Sequence, residues 1–99
     1  MTKPSAPLNL ANDQLITKAT QIGIKWDAPT ETGGAAILDY RVSLFDTSIN
    51  DFSPVHSGAM YRTYTILGLV AGRTYRIKVQ ARNLIGYSDF SEELSVLAA

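Results

Sequence analysis

The sequence predicts an all-β chain: a sandwich of about seven antiparallel strands. Three observations carry this expectation. Apolar and polar residues alternate with a period of two in several separate runs, a pattern that puts one face of each run in a core and the other in water. Residues that end strands, chiefly Gly, Pro and Asn, cluster between these runs. No stretch longer than two turns repeats at a helical period.

The runs follow in order. "PLNL" forms a short edge strand through Leu8 and Leu10, and Asn12-Asp13 turns it. "QIGIKW" places Ile22, Ile24 and Trp26 on one face. "APTETGGAA", with Pro29, Gly33 and Gly34, reads as a loop. "LDYRVSL" turns Leu38, Tyr40, Val42 and Leu44 inward. "DTSINDFSP" is polar and reads as a loop ending at Pro54. Proline cannot donate to a ladder, so Pro54 belongs on an edge strand or its loop. "YTI" gives Tyr64 and Ile66, and "GLVAG" is a turn holding Gly68 and Gly72. "TYRIKVQAR" is the cleanest alternation: Tyr75, Ile77, Val79 and Ala81 face in, and Arg76, Lys78, Gln80 and Arg82 face out. "NLIG" ends at Gly86, Ser88 opens the last strand, and "LSV" carries Leu94 and Val96.

The bulk numbers set the class. Ninety-nine residues, 45% apolar and 18% charged, suit one soluble domain with an adequate core. Nine basic and nine acidic residues cancel, which counts against a nucleic-acid or membrane-surface module. No apolar run approaches the roughly 18 residues of a membrane helix. Met1-Thr2-Lys3-Pro4 is too short and polar for a signal peptide, and Met1 reads as a start placed before a domain of a longer chain. With no cysteine, disulfides, thiolate metal sites and cysteine nucleophiles are excluded. No Asn-x-Ser/Thr glycosylation site occurs.

Catalytic chemistry finds no residues. His56 is the only histidine, and Ser53 and Ser57 beside it give no nucleophile–base pair. Adjacent Glu92 and Glu93 point to opposite faces of a strand. Asp46 and Asp51 flank a loop but fall short of the six or more oxygens of a calcium site. Gly33-Gly34 precedes a strand rather than a helix, so it is not a phosphate loop. The chain is therefore expected to be non-catalytic, without metal or cofactor.

Surface contacts are the remaining candidates. Arg76, Lys78 and Arg82 form an outward basic row, widened by Arg41 and an exposed Phe45 on the neighbouring strand. A solvated strand face is the preferred reading of this row. Tyr87 and Phe90, in "GYSDFSEE", alternate correctly to lie over Arg76, Lys78 and Arg82 as a local cation–π ladder. Leu84 and Ile85 sit at a loop tip, where they either fold back on the core or meet a partner. The candidate contact residues are Leu84, Ile85, Tyr87, Phe90, Arg82 and Phe45.

The order of landmarks resembles a fibronectin type III domain over Pro7 to Leu97. The resemblance rests on Pro7 and Leu10, "IKWDAP" with Trp26 and Pro29, and "GGAAILDYRV" with Tyr40. It extends to Leu69, Gly72, Tyr75, Val79, Ala81 and Asn83 of "LGLVAGRTYRIKVQARN", then Gly86 and Ser88. It implies a seven-stranded immunoglobulin-like sandwich without a disulfide, folded over about residues 6–97, with 1–5 and 98–99 as linker. Trp26 then fills the space between the sheets. Tyr75 makes a tyrosine corner to backbone near Leu69, so Tyr75→Phe should cost about 1–3 kcal/mol. "YSDFS" is similar to a softened form of the Trp-Ser-x-Trp-Ser run of cytokine-receptor modules. Both tryptophans and the receptor cysteines are missing. The Arg-Gly-Asp of adhesive members is absent, and integrin binding does not carry over.

The resemblance implies a scaffold module that spaces a tandem multi-domain protein and contacts other proteins, neighbouring modules included. The second reading is a ligand-recognition module of a receptor-like or adhesion protein, or an accessory module of a carbohydrate-active enzyme. The isolated domain is expected to be a monomer that neither binds nucleic acid nor inserts into a membrane. The family favours an extracellular or cell-surface setting slightly over a cytoplasmic one.

Overall fold

The computed structural model describes residues 1–99 and folds them into seven strands. One sheet holds β1 (Leu8–Asn12), β2 (Ile22–Asp27) and β5 (Thr63–Ile66), in the order β1-β2-β5. The other holds β3 (Asp39–Asp46), β4 (Asp51–Ala59), β6 (Thr74–Arg82) and β7 (Leu94–Leu97), in the order β4-β3-β6-β7. Every pairing is antiparallel. This is the expected seven-stranded immunoglobulin-like sandwich.

The core lies between the sheets. Ile22, Ile24 and Trp26 come from one side; Tyr40, Val42, Ile77, Val79, Ala81 and Val96 come from the other. Each large apolar side chain buried here contributes about 1.5–3 kcal/mol. Trp26 meets Tyr40 edge to face, with ring centroids 5.4 Å apart, a favoured aromatic geometry. Leu69 and Tyr75 pack against this core from its margin, and Pro7 is buried. Leu38 departs from the expected inward row: it lies before β3 and is exposed.

Tyr75 makes the expected corner. Its hydroxyl accepts the Val70 N–H at 2.8 Å, one residue beyond Leu69. Gly72 and Gly86 both take positive φ, as their turn positions suggested. Gly33 is needed for space as well: at φ 76°, a Cβ there would lie 2.1 Å from the Thr2 carbonyl oxygen.

Two boundaries differ from expectation. The polar run after β3 is only half loop. Residues 47–50 turn, and Asp51–Pro54 already pair with Asp46–Ser43 as the start of β4. β4 is an edge strand, where proline is tolerated, and its register with β3 shifts beside Pro54. Its exposed face carries little apolar signal, which is why the run reads as loop.

Ser88 does not open the last strand; β7 begins only at Leu94. Between them the chain runs beside β6 at a different pitch, so that Ser88 and Ser91 oppose Ala81 and Val79. Ser88 donates its N–H to the Ala81 carbonyl at 2.7 Å, and its hydroxyl accepts the Ala81 N–H at 2.9 Å. Ser91 does the same with Val79, at 2.8 and 3.0 Å. Three residues on one side span two on the other, so a one-to-one ladder cannot form. Serine hydroxyls complete the backbone bonding that burial requires.

Residues near both ends bond to the body of the sandwich. Pro4 and Ala98 are buried. Thr2 donates to the Gly33 carbonyl and Ser5 to that of Glu31. Ala98 accepts from Gly72 and donates to Arg73. Backbone groups make these bonds, and side-chain type does not announce them.

Candidate functional site

The outer face of the β4-β3-β6-β7 sheet carries most of the expected contact residues. β3 and β6 pair in register from Asp39↔Arg82 to Leu44↔Ile77, so outward residues two apart on each strand form parallel rows. The 87–91 segment lies along one flank, held by Ser88 and Ser91, and β4 lies along the other. Aromatics from both flanks therefore reach the basic row between them.

Each cation on this face meets a ring. The Arg41 guanidinium lies 3.8 Å from the Tyr87 centroid. Arg76 lies 4.1 Å from the Phe45 ring. The Lys78 ammonium sits 4.4 Å from Phe52 and 5.3 Å from Phe90. Phe52 joins the row by edge contact with Phe45 at 5.4 Å and tilted contact with Phe90 at 5.9 Å. The result is a continuous cation–aromatic ladder.

Carboxylates close the electrostatics. Arg82 donates two hydrogen bonds to Asp39, at 2.8 and 2.6 Å. Arg76 donates two to Glu93, at 3.0 and 2.9 Å. Hydrogen bonding by Arg82 holds the Asp39 carboxyl below its ordinary pKa against the opposing effect of burial. Arg76 does the same for Glu93, and both guanidinium pKa values rise in return. Arg41 donates twice to the Gln80 side-chain oxygen, at 2.9 and 2.6 Å, while the Gln80 amide donates to the Ser88 carbonyl. Gln80 thus faces outward as expected but is buried beneath the 87–91 segment.

The ladder differs from the expected one in its partners. Arg82, expected against Tyr87, lies 6.0 Å from that ring, and Arg41 takes the closer place. Phe45, expected to be exposed, is half-buried under Arg76 and beside Phe52. Phe52 was missed because its segment reads as loop. Phe90 keeps 39% of its surface.

Leu84 and Ile85 stand apart from this face, at the β6–β7 connection. They are 75% and 47% exposed and do not fold back over the core. Asn83 shapes their loop. Its side-chain oxygen accepts from Ile85 and Gly86, and its amide donates to the Thr2 and Thr32 carbonyls at 2.8 Å each. Four bonds from one 2%-exposed side chain join three segments, a role the sequence marks only as a signature position. His56 stacks on Tyr64, with centroids 4.3 Å apart.

Known proteins share the fold that carries this face. The fibronectin type III domain model matches residues 5–97. Mouse fibronectin type-III domain-containing protein 3A is 30% identical over 82 residues, covering 83% of this chain and 7% of that protein. Chicken ephrin type-B receptor 5 is 29% identical over 94 residues, covering 94% of this chain and 9% of that one. Among solved structures, the twitchin kinase region of C. elegans superposes with a TM-score of 0.87 at 25% identity, covering 97% of this chain and 17% of that one. The chain thus spans under a tenth of the curated relatives it matches. With this match, the strand order and the corner at Tyr75, the chain belongs to the fibronectin type III domain family and is a non-catalytic module.

Proposed function

We propose that this chain is a spacing and contact module of a longer protein, joined to its neighbours at both ends. The observation that carries this reading is where the ends are fixed. Thr2 is bonded to Gly33 and Asn83, just past the end of β6. Ala98 is bonded to Gly72 and Arg73, just before its start. The nine residues of β6 separate these anchors, about 30 Å at the rise of an extended strand. Both ends are therefore clamped to opposite ends of one central strand, a geometry suited to holding distance and transmitting load. Leu84 and Ile85 lie beside the clamped Thr2, where an adjoining module would cover them.

Small-angle scattering on two copies of the chain fused head to tail tests this. An extended particle is expected, with a maximum dimension approaching twice the 43 Å long axis of one copy. Leu84→Ser with Ile85→Ser should broaden the distance distribution. Two copies folded side by side would contradict the proposal.

A further inference from the structure

A cleft of about 560 Å³ opens where β4 turns into β5, at the same end of the sandwich as Thr2. Buried Tyr40 and half-buried Ile37 form its floor, with Leu38, Met60 and Tyr61 around them. Met60 and Tyr61 are each 79% exposed. Large apolar side chains gathered at one concavity mark a contact surface, unlike the same residues scattered singly.

Two polar groups in this cleft lack partners. The Tyr40 hydroxyl makes no hydrogen bond within the chain and opens onto the cleft; the one fully buried side-chain atom without a partner is Trp26 Nε1, in the core. Arg62 makes no ion pair; the two in the chain are Arg76–Glu93 and Arg82–Asp39. Burial raises the Tyr40 pKa and the nearby Arg62 charge lowers it, so the phenol is a protonated donor within the field of that guanidinium. Asp39 also lines the cleft, but Arg82 neutralises it through two hydrogen bonds. What remains is one uncompensated cation and one free hydroxyl over an apolar floor.

We propose that this cleft binds an internal segment of a partner protein, in which a glutamate or aspartate side chain stands between bulky apolar residues. The carboxylate accepts from the Arg62 guanidinium and the Tyr40 hydroxyl. The apolar neighbours cover Leu38, Met60 and Tyr61. A terminal carboxylate fits less well. Capture of chain ends uses nests of backbone N–H groups, and no cleft residue has the positive φ such nests need. This surface is distinct from the ladder, where Arg41, Arg76 and Lys78 lie over rings and Arg82 is bonded to Asp39.

The test is an amide-shift titration of the chain with the blocked peptide acetyl-Leu-Glu-Leu-amide, run beside acetyl-Leu-Gln-Leu-amide. Saturable shifts at millimolar peptide are expected for residues 37–40 and 60–63. The Gln peptide should bind about tenfold more weakly, for the loss of one charge-assisted contact. Arg62→Gln should abolish the difference between the two peptides without unfolding the domain. Tyr40→Phe should weaken the Glu peptide while keeping the ring contact with Trp26. Equal binding of the two peptides, shifts confined to the ladder face, or no saturable shift would overturn the proposal. So would sedimentation of the free chain as a dimer with the cleft residues at its interface, which would make a second copy the occupant.

Discussion

The ladder face and the cleft end present opposite accounts of their polar groups. On the ladder, Arg41, Arg76 and Lys78 lie over rings, and Arg76 and Arg82 hold carboxylates. At the cleft, Arg62 and the Tyr40 hydroxyl hold nothing. The conspicuous sequence motif, aromatics interleaved with basic residues, is satisfied internally. The inconspicuous pair is left free. The difference teaches that a basic–aromatic pattern can be the way a sheet covers itself, whereas an available site shows as donors that are open to solvent and lack acceptors, unlike the Trp26 Nε1 sealed in the core.

Breaking the ladder at its base should have the largest effect. Ser88→Ala together with Ser91→Ala strands the buried N–H groups of Ala81 and Val79, and each buried unsatisfied donor costs about 1–3 kcal/mol. Urea denaturation should show a loss of about 2–6 kcal/mol for the pair. Tyr75→Phe, at the other end of β6, removes a bond made by a half-buried hydroxyl to an exposed loop. It should lower stability by about 1 kcal/mol, and no change would remove the corner's energetic role.

A double-mutant cycle on Arg41→Gln and Tyr87→Leu should give a coupling of about 0.5–1 kcal/mol. The same cycle with Arg82 should give none. A reversed outcome would restore Arg82 as the partner of Tyr87. Asp39 supplies a smaller, pH-dependent effect. Its folded pKa lies below its ordinary value, so its contribution is complete above about pH 4 and is lost as pH falls through the lowered value. Thermal unfolding of Asp39→Asn should therefore vary less steeply with pH in the acid range than the parent chain. A matching slope would show that other carboxylates carry the dependence. At the cleft, Arg62→Gln should leave stability within about 0.5 kcal/mol.

Much of this architecture is legible in alternation alone. Ile77, Val79 and Ala81 face inward because a two-residue period leaves them no choice. The outward placement of Arg76 and Lys78 was also legible, since they alternate with Ile77 and Val79, but the solvated face preferred for them is covered by rings instead. The ladder's partners were not legible. Phe52 lies between Asp51 and Ser53, in a strand whose polar edge hides its period, and the choice of Arg41 over Arg82 depends on how residues 87–91 lie across two strands. The hold on Thr2 comes from Asn83, 81 residues away, through a backbone carbonyl that every residue possesses. The cleft joins Tyr40 to Arg62 across the β4–β5 turn, and no local spacing encodes that meeting.

The most direct measurement runs Arg41→Gln and Arg62→Gln side by side, through urea denaturation and through titration with acetyl-Leu-Glu-Leu-amide. If the ladder is self-satisfied and the cleft is open, Arg41→Gln loses stability and keeps peptide affinity, while Arg62→Gln keeps stability and loses affinity. The opposite pattern, with peptide affinity falling in Arg41→Gln and unchanged in Arg62→Gln, would contradict it.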